Sequence, residues 1–434
     1  MTAPSSRKIG PVLATFIVAN NMIGSGFFLL PATLARSGGV TVLSWVLGTV
    51  LAVALGGAFA RLAREYPNLQ SPDDYVRPAL GRDIGFLATT LYWISSWIGN
   101  NAIAVAAFGY LVTVLPFQGD NPMVQMYGQI GLIWFMFAVN MFGPKQVARF
   151  QSACVVLGLA PIAVVLLGGW GSFSMDIWNA GWNVTTKSDS AVVFSSLAPI
   201  FWAFVGLETG AMVAGIVRDP ERNVPRATLI GILLTGTIYI VASVLVMGIV
   251  PVEELANSSA PFAVVAGRIF GPWAIPIIAI AAAVKATGTL GGWMLVTGET
   301  GARAAQRGFL PPIFGRFLKN GAAGWGLFIV ATAMTGIAVF TLAPTVGEQF
   351  GVIIEMVVLL VVLAYAAAGM SLLVGTPSKR PTMGNRLLGV AALIACVLLL
   401  LSSPWRMLLG AIGIAFLSWV GFRVLGPSAA SERH

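Results

Sequence analysis

The sequence predicts an all-α membrane protein of about twelve transmembrane helices, from an apolar composition, apolar runs of spanning length and an uneven distribution of cations. Of its 434 residues, 57% are hydrophobic and 9% charged, and the mean hydropathy is +0.86. So few charges cannot cover a water-soluble surface, so the solvent is mostly lipid. A bilayer core of about 30 Å needs roughly 20 apolar residues per helical crossing. Reading the apolar runs against glycine, proline and charge clusters places spans near 11–31, 40–60, 85–114, 125–143, 148–169, 191–217, 226–249, 271–298, 323–343, 350–375, 386–402 and 405–425.

With a cytoplasmic N-terminus, the inside segments hold 20 of the 25 Lys and Arg residues. The outside holds only Arg36, Lys187, Arg268 and Arg406, and Lys285 is left within a span. This asymmetry is expected to place both termini in the cytoplasm, with the chain in contact with lipid. It also accounts for the net charge of +9 without a nucleic-acid partner, because the cations are scattered among short loops rather than gathered in a patch. The first apolar run, after Arg7 and Lys8, is too long for a signal peptide and lacks a small-residue cleavage site, so it reads as a retained helix. Cys154 and Cys396 fall inside apolar runs, which argues against a disulfide framework or a thiolate metal site. The single histidine is His434, and no nucleophile–base pair or ligand cluster lies within a span. Neither a membrane-embedded enzyme nor a bound metal or other cofactor is therefore expected.

No low-complexity linker interrupts the chain, which reads as one membrane domain over 1–434. Its first span contains NNMIGSGFFLLP and its sixth FWAFVGLETG, each a helix interrupted by glycine. That is the pattern of two inverted five-helix repeats, about 11–169 and 191–375, followed by two extra helices at about 386–425. Glycine accepts backbone angles that end a helix, and an unwound turn bares amide donors on one side and carbonyl acceptors on the other. Such groups are tolerated at membrane depth only where they line a cavity. Glycines alone would equally serve close helix packing. Paired breaks at Gly24-Ser25-Gly26 and Gly206, the second beside Glu208, instead favour a binding site between the halves.

Glu208 lies in a span otherwise free of charge, where a carboxylate by default marks a pathway, gate or proton site. In the third span Tyr92, Ser96, Asn100 and, less closely, Ile103 form a polar stripe that should face the bundle interior. The same stripe would also suit interhelical hydrogen bonding. Trp202 and Trp293 offer π faces to a cation, but among 13 tryptophans nothing in the residues themselves selects these two. Lys285 and Glu355, charges within the eighth and tenth spans, are predicted at similar depth. They are expected to form an ion pair lining the external vestibule, since each alone would be costly there. The competing reading is two residues that snorkel separately.

At IGSGFFLLPATLA, LYWISSWIGNNA, FVGLETGAMVAGIVRDPERNVPRAT, NSSAPF, GTLGGWMLVTGET and GFLPPIF the chain resembles the basic amino-acid and polyamine antiporters of the amino acid-polyamine-organocation superfamily, nearest its arginine/agmatine-exchanging members. The resemblance runs over nearly the whole chain. It implies a twelve-helix LeuT-like fold, usually dimeric, that exchanges external arginine for internal agmatine by alternating access and so contributes to proton export and acid resistance. Its partners would be a small cationic amino acid and the amine formed by decarboxylating it. Carried onto this chain, the substrate carboxylate would meet the amides around Ser25 and Gly26, and its ammonium the carbonyls near Ile23, Trp202 and Val205. Trp293 would stack on the guanidinium, with Asn100 and the backbone near Ser95 and Ser96 hydrogen-bonding it. Trp202 would close the site from outside, and Tyr92, Glu208 and Tyr365 would form the inner gate.

The chain departs from that pattern at Val357 and Val361, where the tenth span usually supplies hydroxyls to the pocket, and in SPDDYVRPALG, which keeps Tyr75 but has Asp73 in place of a second tyrosine. The drier wall keeps open a related cargo, namely lysine/cadaverine, ornithine/putrescine or a neutral amino acid. A channel is disfavoured, because bulky Trp202, Trp293 and Tyr365 around the site suit occlusion.

Overall fold

The computed structural model describes residues 8–65, 73–116, 121–212, 217–376 and 380–425. Arg7, Lys379 and Arg433, counted above on the inside, lie outside the described residues, as does the side chain of Asp73. Among the described residues the regular structure is helical, with an isolated β bridge between Ile9 and Val217. The helices are α1 (Pro11–Met22), α2 (Ser25–Ala35), α3 (Thr41–Glu65), α4 (Asp73–Leu80), α5 (Arg82–Val112), α6 (Pro122–Asn140) and α7 (Pro144–Gly168). Short α8 (Met175–Ala180), α9 (Asp189–Ser195), α10 (Leu197–Phe201) and α11 (Thr209–Met212) follow. Then come α12 (Pro220–Ile249), α13 (Val252–Ala256), α14 (Pro261–Phe270), α15 (Ala274–Gln306), α16 (Gly324–Phe340), α17 (Val346–Val374), α18 (Met383–Ser402) and α19 (Trp405–Leu425).

The helix ends follow local chemistry. Proline opens α1, α6, α7, α12 and α14, where its missing N–H costs nothing. The side chains of Asn121, Thr345 and Thr382 accept from first-turn amides of α6, α17 and α18. Eight helices are long and apolar enough to cross a membrane, and counting each of two bent pairs as one span brings the total to ten by length and composition. The spans expected near 85–114 and 323–343 correspond to α5 and α16. The polar stripe of α5 dilutes its hydropathy, and α16 has only 17 residues.

One helix holds the centre. α5 packs against α15 on one side and α17 on the other, α7 lies along α15, and α12 lies against α1 and α3. Small residues allow these approaches: a methyl on Gly288 of α15 would strike Cys154 of α7, and one on Gly56 of α3 would strike Ile232 of α12. Both cysteines are free and buried. Where the sequence suggests only a loop between the seventh and eighth spans, α13 and α14 fold over α2. These helices are too short to cross a bilayer, so the criterion of spanning length passes over them.

The two interrupted spans are bent. α1 and α2 meet at 44°, and α9 and the segment Leu197–Ala211 at 43°, with Ser196 between them. The sequence puts the second interruption at Gly206. Helical backbone is indeed lost there, through a 3-10 turn at Trp202–Phe204, extended Val205 and Gly206 at φ 106°, but the bend at Ser196 is additional.

Candidate functional site

α1 stops at Met22 because the following residues leave the helical region: Ile23 at φ −74°, ψ 82° and Gly24 at φ −121°, ψ −143°. The carbonyls this releases need donors. Met22 O accepts the Gly24 N–H at 2.8 Å and the Tyr239 hydroxyl at 3.0 Å. Tyr239 is itself fixed by stacking on Trp45, with ring centroids 4.8 Å apart. Ile23 O accepts from Lys285 Nζ at 2.7 Å. The N–H groups of Ser25 and Gly26, in the first turn of α2, find no backbone acceptor among the described residues. They are the unpaired donors at a helix N-terminus, where an anion is favoured.

These amides face a cavity of about 40 Å³. Every substrate-contact residue implied by the resemblance lines it except Ile23: Ser25, Gly26, Ser95, Ser96, Asn100, Trp202, Val205 and Trp293. Trp202 lies across it between two glycines. A methyl on Gly26 would come within 3.1 Å of the indole and one on Gly99 within 2.9 Å, so both positions must be bare for the ring to sit there. Ser95 and Ser96 turn their hydroxyls onto the carbonyls of Tyr92 and Trp93 in their own helix, each at 2.7 Å. Asn100 Nδ2 donates to Thr297 Oγ1 at 3.2 Å. Asn100 Oδ1 and Ser25 Oγ are buried without a partner among the described residues. Val357 and Val361 add apolar surface to the lining.

Tyr92, which lines this cavity, comes together with Glu208 and Tyr365. The Glu208 carboxylate accepts the Tyr92 hydroxyl at 2.7 Å, the Tyr365 hydroxyl, and the N–H of Gly206 at 3.1 Å. One buried carboxylate thus joins α5, α17 and the interrupted sixth span. Behind it, Phe59 packs edge-on against both Tyr365 and Tyr75, with centroids at 4.9 and 6.1 Å.

Two expectations are corrected. Lys285 and Glu355 do not pair: Lys285 Nζ bonds to Ile23 O and, at 2.9 Å, to Thr289 Oγ1. Glu355 has no ion-pair partner among the described residues. The reason is topological, because α5 lies between α15 and α17. Lys285 is also 1% exposed, so it lines no vestibule. The second correction concerns Ile23, whose carbonyl is taken by that lysine and whose residue does not line the cavity.

Asn21, Thr289, Thr297 and Tyr239 also belong to the site or its supports, and none is among the residues the sequence singles out. Thr289 and Thr297 were detectable, since Lys285, Thr289, Trp293 and Thr297 recur every four residues along one face of α15. Tyr239 carried no such signal, being an isolated aromatic in an apolar helix.

The chain matches the family of amino acid permeases over residues 9–429. A cadaverine/lysine antiporter of Escherichia coli (strain K12) is 36% identical over 369 residues, covering 83% of this chain and 82% of its own length. A putrescine transporter, PotE, of the same strain is 30% identical over 432 residues, 98% of each chain. The PotE of Haemophilus influenzae is 28% identical over 423 residues, 95% of this chain and 96% of its own. With helices of spanning length and a match that extends from residue 9 to residue 429, this chain belongs to the amino acid permease family, a family of membrane transporters and not of enzymes.

Proposed function

We propose that the protein exchanges a small cationic amino acid, lysine or ornithine, for the corresponding diamine across a bacterial inner membrane. The observation that carries this reading is the pair of unbonded amides at Ser25 and Gly26, at a cavity also lined by Trp293, Asn100 and two valines. The amides suit a carboxylate. For the side-chain end of the substrate the lining offers one unpaired carbonyl oxygen, Asn100 Oδ1, and the indole of Trp293. That suits a compact ammonium better than a planar guanidinium, whose five donors need several acceptors. The names of the relatives, a cadaverine/lysine antiporter and putrescine transporters, point the same way. The arginine/agmatine pair is the second reading, kept by the placement of Trp293 and Asn100.

The proposed substrate α-ammonium meets the carbonyl of Val205, which takes no backbone donor among the described residues. A void of about 40 Å³ holds a few waters and not an amino acid, so loading requires Trp202 or the broken helices to move. In the proposed cycle twelve spans in two inverted repeats rock around the fixed site, with both termini inside and the chain paired as a homodimer. Import of a monovalent amino acid against export of a divalent amine moves one positive charge outward. An internal decarboxylase consumes one proton per turnover, so the cycle exports acid.

The test is exchange in proteoliposomes preloaded with cadaverine, putrescine or agmatine, against external labelled lysine, ornithine or arginine. Uptake of lysine or ornithine that depends on internal diamine is expected. Exchange restricted to arginine and agmatine would restore the second reading, and equal uptake into empty vesicles would rule out obligate exchange.

A further inference from the structure

Lys285 is a charged side chain beside the cavity that the proposed exchange does not use. It is 1% exposed, and among the described residues it has no acidic partner. Its backbone is pressed onto α7, since a methyl on Gly158 would strike Lys285 itself and the carbonyl of Ala281. From that fixed base the side chain reaches across to α1. Its ammonium donates to Ile23 O at 2.7 Å and to Thr289 Oγ1 at 2.9 Å. Thr289 Oγ1 in turn donates to Lys285 O at 3.0 Å, which orients its lone pairs toward the ammonium.

The acceptor is not an ordinary carbonyl. Ile23 caps the C-terminus of α1, where unpaired carbonyls and the helix dipole gather negative charge. Two residues later Ser25 opens α2 with its amides free. Thr289 also touches both ends of this arrangement, holding the ammonium through Oγ1 while lining the cavity and lying against Gly24, where a Cβ would be 3.5 Å from its methyl. In interrupted membrane helices, unwound carbonyls and half-helix C-terminal ends are groups that hold cations.

We propose that Lys285 is a tethered cation that clamps the break of the first span to α15, and that this clamp positions the Ser25 and Gly26 amides for substrate. It is a positioning residue, acting through the backbone of residues 23–26. The effect on substrate rests on the proposed role of those amides, whereas the clamp itself does not.

Two readouts separate these parts. The first is hydrogen exchange of the backbone at residues 22–27 in the full-length protein, which needs no substrate. The second is binding of labelled lysine, ornithine and arginine to the purified protein. Lys285→Met fills most of the same space and loses the charge, while Lys285→Ala leaves room for a small amine. In both variants exchange at residues 22–27 is expected to speed up, with substrate binding weakened by about tenfold or more. Millimolar methylammonium should slow that exchange and restore binding in Lys285→Ala, and change neither in Lys285→Met nor in the unmodified protein.

Wild-type protection and binding in Lys285→Met would overturn the proposal, as would a folded Lys285→Ala that ignores methylammonium. If Lys285→Ala does not fold, Lys285→Arg replaces it: retained protection and binding support the clamp, and loss equal to that of Lys285→Met overturns it. If the unmodified protein binds none of the three amino acids, the exchange assay rejects the proposed function while the protection data still judge the clamp.

Discussion

The two interruptions that define the site are held in opposite ways. At the first, the loose ends are carbonyls, and the neighbouring helices supply the donors, Tyr239 from α12 and Lys285 from α15. At the second, the loose end is an amide, that of Gly206, and the acceptor is carried two residues away on Glu208, which also gathers hydroxyls from α5 and α17. The first break thus depends on its scaffold and keeps its amides free. The second carries its own charge and draws the scaffold in. A helix can be interrupted in a membrane by either route, but only the first leaves backbone donors available to a ligand.

Breaking the second interruption should have the larger effect. Glu208→Ala strands two tyrosine hydroxyls and the Gly206 amide in a buried place, at about 1–3 kcal/mol for each unsatisfied group. Exchange in proteoliposomes should fall to background and the Tm of the purified protein should drop, with Glu208→Gln recovering part of both. Normal exchange by Glu208→Ala would show that the carboxylate is not what joins these helices. Next comes Gly206→Ala. At φ 106° the new side chain is strained, and its Cβ would lie 3.2 Å from the carbonyl oxygen of Asn21 across the break. About 1–3 kcal/mol of strain predicts exchange lowered by roughly tenfold or more, read as initial rate at saturating substrate.

The smallest effect belongs to the first interruption. Tyr239→Phe removes one donor from Met22 O, which keeps the Gly24 N–H. A net loss of about 1 kcal/mol predicts a several-fold rise in KM at little change in Tm. Combining it with Lys285→Met sharpens the comparison. If both side chains hold one break, the double variant should lose more than the sum of the two single losses, whereas strict additivity would mean that they act on separate elements.

Much of the machinery was legible in the residues because lipid makes polarity informative. Glycines flanking Ser25, a lone Glu208 and the polar stripe from Tyr92 to Asn100 stand out against an apolar background, and all of them meet at one cavity or its edge. Lys285 stood out equally, yet its partner was misjudged. Charge in a sequence suggests an opposite charge, but the nearest available acceptor was a backbone carbonyl, which has no signature of its own. The hydroxyls of Thr289 and Thr297 were missed for a related reason, since threonine in a helix more often bonds back to its own turn, as both of these also do.

The sequence by itself determined the solvent, the helices of spanning length, the two interruptions and the family, because each depends on composition or local order that lipid enforces. Only the tertiary structure decided who completes the interrupted helices. With α5 between α15 and α17, Glu355 is out of reach of Lys285, and the lysine instead turns to the open end of α1. An unpaired carbonyl exists only once a helix has stopped, and a lysine finds it only once another helix has been laid beside it.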